Sequence, residues 1–207
     1  MAREFEAILF DFDGVLADSE PVHFACWKEV LAPLGIEVEW DHYAAACIGV
    51  ADLAMVDALR RRAGSPVSLE AVWAQYPRKK ELFRARVAAF PIIPAATAEL
   101  VRSLDGYRLA VVSSSARGEV EPLIASAGLR HCFDAIVCGE DVARLKPAPD
   151  PYVEAARRLD VTRALVVEDS DAGEASGLAA GFEVLRIREA ARTADIVRRR
   201  LALDETC

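Results

Sequence analysis

Two acidic residues near the start of the chain have a spacing that could hold a cation. Asp11 and Asp13 follow the apolar run 7–10 and are followed at once by Gly14. Carboxylates this close repel each other unless a positive charge lies between them, and a hard divalent cation such as Mg²⁺ binds oxygen ligands of this kind. The alternative is an acidic loop without a ligand, and this stretch alone does not decide between the two.

Three further polar stretches follow or lie between apolar runs. Serines 113–115 could offer a hydroxyl and backbone N–H groups to a phosphate oxygen, or could simply begin a helix. Glu168 and Asp169 follow the apolar run 164–167. Lys146 lies between these stretches in a proline-rich loop, and such a stiffened loop is expected to direct the ammonium group inward rather than into solvent.

The elements that must position these residues alternate along most of the chain. Strands are predicted at 7–10, 108–112, 135–137, 165–167 and 184–187, with helices between the later ones. This alternation predicts an α/β fold with a doubly wound, Rossmann-like parallel sheet. Ligands of such sheets bind at the carboxyl ends of the strands. The polar stretches are therefore expected to meet at one edge of the sheet.

One long segment departs from the alternation. No strand pattern appears between the first strand and about residue 89, where helices are predicted from about residue 18 to Gly35 and at 51–63, 69–75 and 79–89. We predict an all-helical cap at 17–92, inserted into a Rossmann-like core formed by 1–16 and 93–207.

Composition excludes several classes of partner. The formal net charge of −8 disfavours binding to nucleic acid and to anionic membranes, since both bind basic protein surfaces. No apolar run approaches the ~20 residues that a membrane-spanning helix needs. The five cysteines are an odd number without Cys-x-x-Cys spacing, which predicts reduced thiols in a cytoplasmic protein. No obligate protein partner is evident.

The predicted sheet edge collects the groups that phosphoryl transfer requires. These are a carboxylate nucleophile, a cation to neutralise the phosphate, donors for its oxygens and an acid for the leaving group. The chain therefore resembles the haloacid dehalogenase superfamily over nearly its full length. The motifs that carry the resemblance occur in the family's order: Asp11-Phe12-Asp13-Gly14, Ser113, Lys146 and Glu168-Asp169.

The resemblance is most specific for one branch of this superfamily. The helical insertion is similar to the cap of the helical-cap subgroup, and the Glu-Asp pair resembles the branch of β-phosphoglucomutase and small sugar-phosphate phosphatases. His23 and Trp27 also resemble that branch. This implies a Mg²⁺-dependent enzyme acting on a small phosphorylated metabolite.

The resemblance also implies roles for the motif residues. Asp11 would be the nucleophile that forms an aspartyl-phosphate, and Asp13 would protonate the leaving alcohol and then activate water. Mg²⁺ would be held by the Asp11 carboxylate, the Asp13 carbonyl and Asp169. Glu168 would support the metal, either as a direct ligand or through its neighbours.

Binding roles follow from the same resemblance. Ser113, the backbone N–H of Ser114 and Lys146 would hold the phosphoryl oxygens. His23 and Lys79 are candidate substrate contacts from the cap, whereas Trp27 is expected in the core of the cap.

Three functions remain open at this point. The favoured one is a phosphatase; a β-phosphoglucomutase-like sugar phosphomutase and a non-enzymatic phospho-acceptor module are the alternatives. A mutase needs a cationic side chain that binds the second phosphate of a bisphosphate, but Ala51 stands where the branch usually has an arginine. Residues 78–80 could compensate, although a solvated helix face is the expected arrangement there. The order of the motifs and the helical insertion argue against the phospho-acceptor module.

Overall fold

The computed structural model describes residues 3–48, 50, 52–89 and 91–203 of the 207-residue chain. It divides into two compact units, one formed by Met1–Asp18 with Pro91–Cys207 and the other by Ser19–Phe90. The boundaries predicted from the sequence, 16/17 and 92/93, each lie two residues from these.

The larger unit contains a five-stranded sheet in which all neighbouring strands are parallel. Its strands are β1 (Ala7–Phe10), β2 (Arg108–Val112), β3 (Ala135–Val137), β4 (Ala164–Glu168) and β5 (Glu183–Arg186), in the spatial order β3-β2-β1-β4-β5. β1 is central and fully buried, as a strand covered on both faces requires. The predicted fold class, a doubly wound parallel α/β sheet with an inserted helical segment, is confirmed.

Helices occur in the connections between strands, after β5 and in several segments of the smaller unit. They are α1 (Glu20–Leu31), α2 (Trp40–Ala46), α3 (Asp52–Arg62), α4 (Leu69–Trp73), α5 (Tyr76–Ala89), α6 (Ala95–Ser103), α7 (Arg117–Ser126), α8 (Asp150–Leu159), α9 (Asp171–Ala179) and α10 (Thr193–Arg200). None of them, within the part of the chain that the structure describes, is long and apolar enough to cross a bilayer.

The register of the sheet brings the polar stretches to one level. Phe10 at the end of β1 pairs with Val111 of β2 and with Val167 of β4. The next residue on each strand is therefore also at a common level, and two of these three are Asp11 and Glu168. The parallel sheet thus places two carboxylates side by side at its carboxyl edge.

The smaller unit is helical, as predicted, but its helices differ in detail from the prediction. α2 was not predicted, because it has only seven residues and little apolar periodicity; Tyr43 nevertheless anchors it in the core. α5 begins at Tyr76 rather than at Lys79, because Pro77 is tolerated in a first turn, where its missing N–H leaves no bond unmade. Trp27 is fully buried, as expected of a core residue of this unit.

Two helical glycines test how closely the helices of the larger unit pack on the sheet. A Cβ at Gly177 in α9 would lie 2.8 Å from Cγ2 of Val184 and 3.2 Å from Cγ1 of Val166, whereas one at Gly118 in α7 meets nothing within 4 Å. Since overpacking a close contact costs about 1–3 kcal/mol or more, Gly177→Leu should lower the free energy of unfolding by that amount.

The matched variant is Gly118→Leu, in which the new side chain enters open space. Its stability should stay within about 1 kcal/mol of the wild type, with helix propensity favouring the variant. Urea unfolding of the two variants checks this. Equal stabilities would show that α9 is not packed against the sheet as described.

Candidate active site

The backbone continues its hydrogen bonding one residue beyond the strands and so fixes the residues that follow them. The N–H of Asp11 donates to the carbonyl of Val167 at 2.9 Å, and the N–H of Ser113 donates to the carbonyl of Val137 at 2.9 Å. Asp11 is 7 % exposed and Ser113 is 3 % exposed. Both side chains are therefore held by rigid sheet geometry rather than by a flexible loop.

The ammonium group of Lys146 lies between two buried carboxylates. It donates to Oδ1 of Asp11, to Oε1 of Glu168 at 2.6 Å and to the carbonyl of Val112 at 3.1 Å. An ammonium group has three protons, so all its donors are used in this arrangement. The side chain of Lys146 is 6 % exposed, which agrees with the inward orientation predicted from its proline-rich loop.

Glu168 receives hydrogen bonds on both carboxylate oxygens. Oε1 accepts from Lys146 and from the hydroxyl of Tyr152 at 3.0 Å. Oε2 accepts from the N–H groups of Asp169 at 2.8 Å and Ser170 at 2.9 Å, and from the Ser170 hydroxyl at 3.1 Å. Five donors converge on this one fully buried side chain, so its position is determined by the protein itself.

The charges in this cluster shift one another's pKa values. Burial raises the pKa of Asp11 well above its usual value; Lys146 opposes this rise, and the neighbouring Glu168 and Asp169 add to it. Burial would raise the pKa of Glu168 too, but Lys146 and the hydrogen bonds to its oxygens hold that pKa below its usual value. Burial would lower the pKa of Lys146, yet its two carboxylate partners raise it. The site therefore holds more negative charge than Lys146 alone compensates.

Asp169 adds a third carboxylate beside Gly14. A Cβ at residue 14 would overlap the Asp169 carboxylate, and the backbone of Gly14 has φ of +78°, so both space and conformation require glycine here. Burial, and then the charge of Glu168, raises the pKa of Asp169 to about 7. One carboxylate oxygen from each of Asp11, Glu168 and Asp169 lies within 4.8 Å of the others. These hard oxygen donors, whose negative charges repel one another, fit a divalent cation such as Mg²⁺.

The serines after β2 form a tight turn at the same edge. The Ser113 hydroxyl accepts a hydrogen bond from the N–H of Ser115 at 3.0 Å, which leaves its own proton available to donate. The N–H of Ser114 donates to no group in the residues that the structure describes. The Ser115 hydroxyl donates to Oδ2 of Asp13 at 3.2 Å, so this turn also contacts the second aspartate of the first motif.

His23 and Lys79 belong to the helical unit, where they contact each other. Nζ of Lys79 lies 2.8 Å from Nδ1 of His23, whose ring stacks on Phe83 with centroids 4.1 Å apart. Burial, followed by the charge of Lys79, lowers the pKa of His23 to about 3, so the imidazole is neutral and accepts this hydrogen bond. The expectation of a solvated face at 78–80 is wrong for Lys79, which is 3 % exposed because aromatic rings surround it.

Some positions lie beyond the prediction or beyond the described residues. Ser115, Tyr152 and Ser170 contact Asp13 or Glu168 but were not predicted individually as site residues. Ser115 and Ser170 could have been predicted as site residues, because they adjoin predicted ones. The contact of Tyr152 could not, because it depends on the packing of α8. Ala51, at the position discussed for a second phosphate, lies outside the described residues.

Sequence and structure comparisons agree on one family. A sequence profile of haloacid dehalogenase-like hydrolases matches residues 8–187. The chain is 31 % identical over 192 residues to the fructose-1-phosphate phosphatase YqaB of Escherichia coli, covering 91 % of this chain and 99 % of that protein. It is 32 % identical to a phosphoglycolate phosphatase of Cupriavidus necator, over 88 % and 80 % of the two chains.

A solved structure gives the same result. The crystal structure of CbbY from Rhodobacter sphaeroides in complex with phosphate superposes with a TM-score of 0.68 at 32 % identity, covering 87 % of this chain and 84 % of that one. Members of the family generally use Mg²⁺, and the three clustered carboxylates are a possible site for it. The chain belongs to the haloacid dehalogenase-like hydrolase family.

Proposed function

We propose that this protein is a Mg²⁺-dependent phosphatase that hydrolyses a small phosphorylated metabolite through an aspartyl-phosphate on Asp11. The observation that carries the proposal is the buried cluster in which Lys146 bridges Asp11 and Glu168 beside Asp169. The relatives named as fructose-1-phosphate and phosphoglycolate phosphatases support the reaction class and a substrate of that size.

The phosphoryl group would be bound by three kinds of donor at the sheet edge. The Ser113 hydroxyl and the Ser114 N–H each have a proton available, and charged donors such as Lys146 make stronger hydrogen bonds to phosphate than neutral ones. When a phosphate binds, Lys146 can exchange its bond to Asp11 for one to a phosphoryl oxygen. Its bonds to Glu168 and to the Val112 carbonyl keep the ammonium in place meanwhile.

Mg²⁺ would be held by the carboxylates of Asp11 and Asp169 together with the backbone carbonyl of Asp13. When bound, it supplies positive charge that neutralises the phosphate and favours the ionised form of Asp11. Glu168 already accepts five hydrogen bonds, which favours a role as the anchor of Lys146 over a role as a direct ligand.

The reaction would proceed by two in-line displacements at phosphorus. A carboxylate oxygen of Asp11 forms a bond to phosphorus while the bond to the leaving alcohol oxygen breaks, and Asp13 gives that oxygen its proton. Asp13 then removes a proton from a water molecule, whose oxygen attacks the aspartyl-phosphate. This releases inorganic phosphate and regenerates Asp11.

Water is the favoured acceptor, and the substrate would be a sugar phosphate or a compound like phosphoglycolate. The phosphomutase alternative would need a further cation for a second dianion, since burying one without a partner is costly. His23 and Lys79 are proposed as substrate contacts from the helical unit. Cys26, Cys47, Cys132 and Cys138 are free thiols, which supports a reducing, cytoplasmic location.

A substrate panel tests the reaction class. With Mg²⁺, the wild type should release inorganic phosphate from at least one of fructose 1-phosphate, glucose 6-phosphate and phosphoglycolate. Asp11→Asn keeps the shape of the side chain but removes the attacking charge, so phosphate release should fall to background while the circular dichroism spectrum is unchanged.

Two outcomes would contradict the proposal. Near-normal turnover by Asp11→Asn would exclude covalent catalysis at this residue. Formation of glucose 6-phosphate from β-glucose 1-phosphate and a trace of glucose 1,6-bisphosphate, faster than phosphate release, would identify a mutase.

The raised pKa of Asp169 predicts that Mg²⁺ binding depends on pH. Metal ligands must be deprotonated, and the Asp169 pKa of about 7 lies well above the usual value, so below that pH a proton competes with the metal. Mg²⁺ affinity should rise about tenfold between about pH 6 and pH 8, the change expected when one such proton is displaced. Isothermal titration calorimetry at the two pH values measures this.

Asp169→Asn should bind Mg²⁺ weakly at both pH values and without this dependence. Asp105→Asn removes an exposed carboxylate at the opposite end of β2 and should behave as the wild type. A wild-type affinity that is the same at both pH values would contradict the assignment of Asp169 as a ligand.

A further inference from the structure

One side chain at the sheet edge has no role in the proposed phosphate or metal binding. The hydroxyl of Ser115 donates a hydrogen bond to Oδ2 of Asp13 at 3.2 Å, although the two residues are 102 positions apart in the chain. Both side chains are only partly exposed. The contact joins the loop after β1 to the loop after β2, at the residue proposed to move protons.

The backbone around Ser115 is held from both sides. Its N–H donates to the Ser113 hydroxyl at 3.0 Å, and its carbonyl accepts from the N–H of Gly139 at 3.0 Å. Gly139 packs so closely that a Cβ there would lie 2.6 Å from the carbonyl oxygen of Ser114. A hydroxyl on a backbone fixed in this way is preorganised, so little conformational entropy is lost when it bonds to Asp13.

We propose that Ser115 is a positioning residue for Asp13, holding the carboxyl group in the orientation from which it transfers a proton to the leaving alcohol. This inference rests on the proposed function. The Ser115 hydroxyl donates to Oδ2 and so fixes the orientation of the carboxyl group that carries the proton to and from the reacting groups. Ser115 itself gains and loses no proton in the cycle: it donates the same hydrogen bond before and after the transfer.

The proposal predicts a loss that depends on the leaving group. Alkoxide leaving groups need a proton from Asp13, whereas 4-nitrophenolate leaves without one. Ser115→Ala should therefore lower kcat/KM for an alkyl phosphate by about 3- to 10-fold, the worth of one hydrogen bond, and by less than about twofold for 4-nitrophenyl phosphate. kcat/KM is the right quantity because it reports the steps up to departure of the alcohol.

Three comparisons make the readout specific. Asp13→Asn is the reference and should show the same selectivity with a larger loss, about 10²- to 10⁴-fold for the alkyl ester. Ser115→Thr keeps the hydroxyl and should retain most of the alkyl-ester activity. Ser126→Ala removes a hydroxyl that donates within α7, to the carbonyl of Leu123 at 2.9 Å, and should change neither rate.

Inhibition by inorganic phosphate gives a readout without a leaving group, and its inhibition constant should be the same in Ser115→Ala and the wild type. An equal loss for both esters, no loss for either, or weaker phosphate inhibition would overturn the role of Ser115. These results leave the proposed function intact as long as the wild type hydrolyses both esters. If the wild type hydrolyses neither, the proposed function itself fails.

Discussion

The site depends on one ammonium group that is shared by two buried carboxylates. Lys146 contacts Asp11 and Glu168 where none of the three side chains is well solvated, so each charge relies on the others. Removing one member of such a buried group typically costs about 3–5 kcal/mol, because the remaining charge loses its partner. Five donors to Glu168 fix the far side of this arrangement, and Asp11 is the member with the fewest competing bonds. Asp11 is thus the carboxylate that can give up its hydrogen bond and attack a phosphorus atom while Lys146 and Glu168 stay in place.

The excess of negative charge links this cluster to metal binding and catalysis. Burial and neighbouring carboxylates raise the pKa values of Asp11 and Asp169, which means that the free protein holds these groups in an unfavourable state when they are ionised. A divalent cation would offset this excess, because three carboxylates and the single ammonium group of Lys146 leave two negative charges. Gly14 contributes to this charge cluster, because any residue with a Cβ at that position would overlap the Asp169 carboxylate.

Much of this arrangement was predictable from the sequence, and particular residues show why. Asp11, Ser113 and Glu168 are found at the carboxyl edge because a parallel sheet brings the ends of its strands together, and apolar runs mark those ends clearly. The contacts of Tyr152 with Glu168 and of Ser115 with Asp13 were not predictable, since they depend on helix packing and on the course of a loop. Lys79 was misjudged in its exposure for a related reason: a basic run predicts solvent exposure, whereas three aromatic rings and His23 bury this one lysine.

The most direct test of the account is whether a phosphoryl group passes through Asp11. The wild type, mixed with a substrate and Mg²⁺ and quenched in acid within a single turnover, should carry the mass of one added phosphoryl group, on the peptide that contains residue 11. Treatment with hydroxylamine should remove it, as expected of an acyl phosphate, and Asp11→Asn should never acquire it. Phosphate release by the wild type without any labelled protein, or a label on a different residue, would contradict the account.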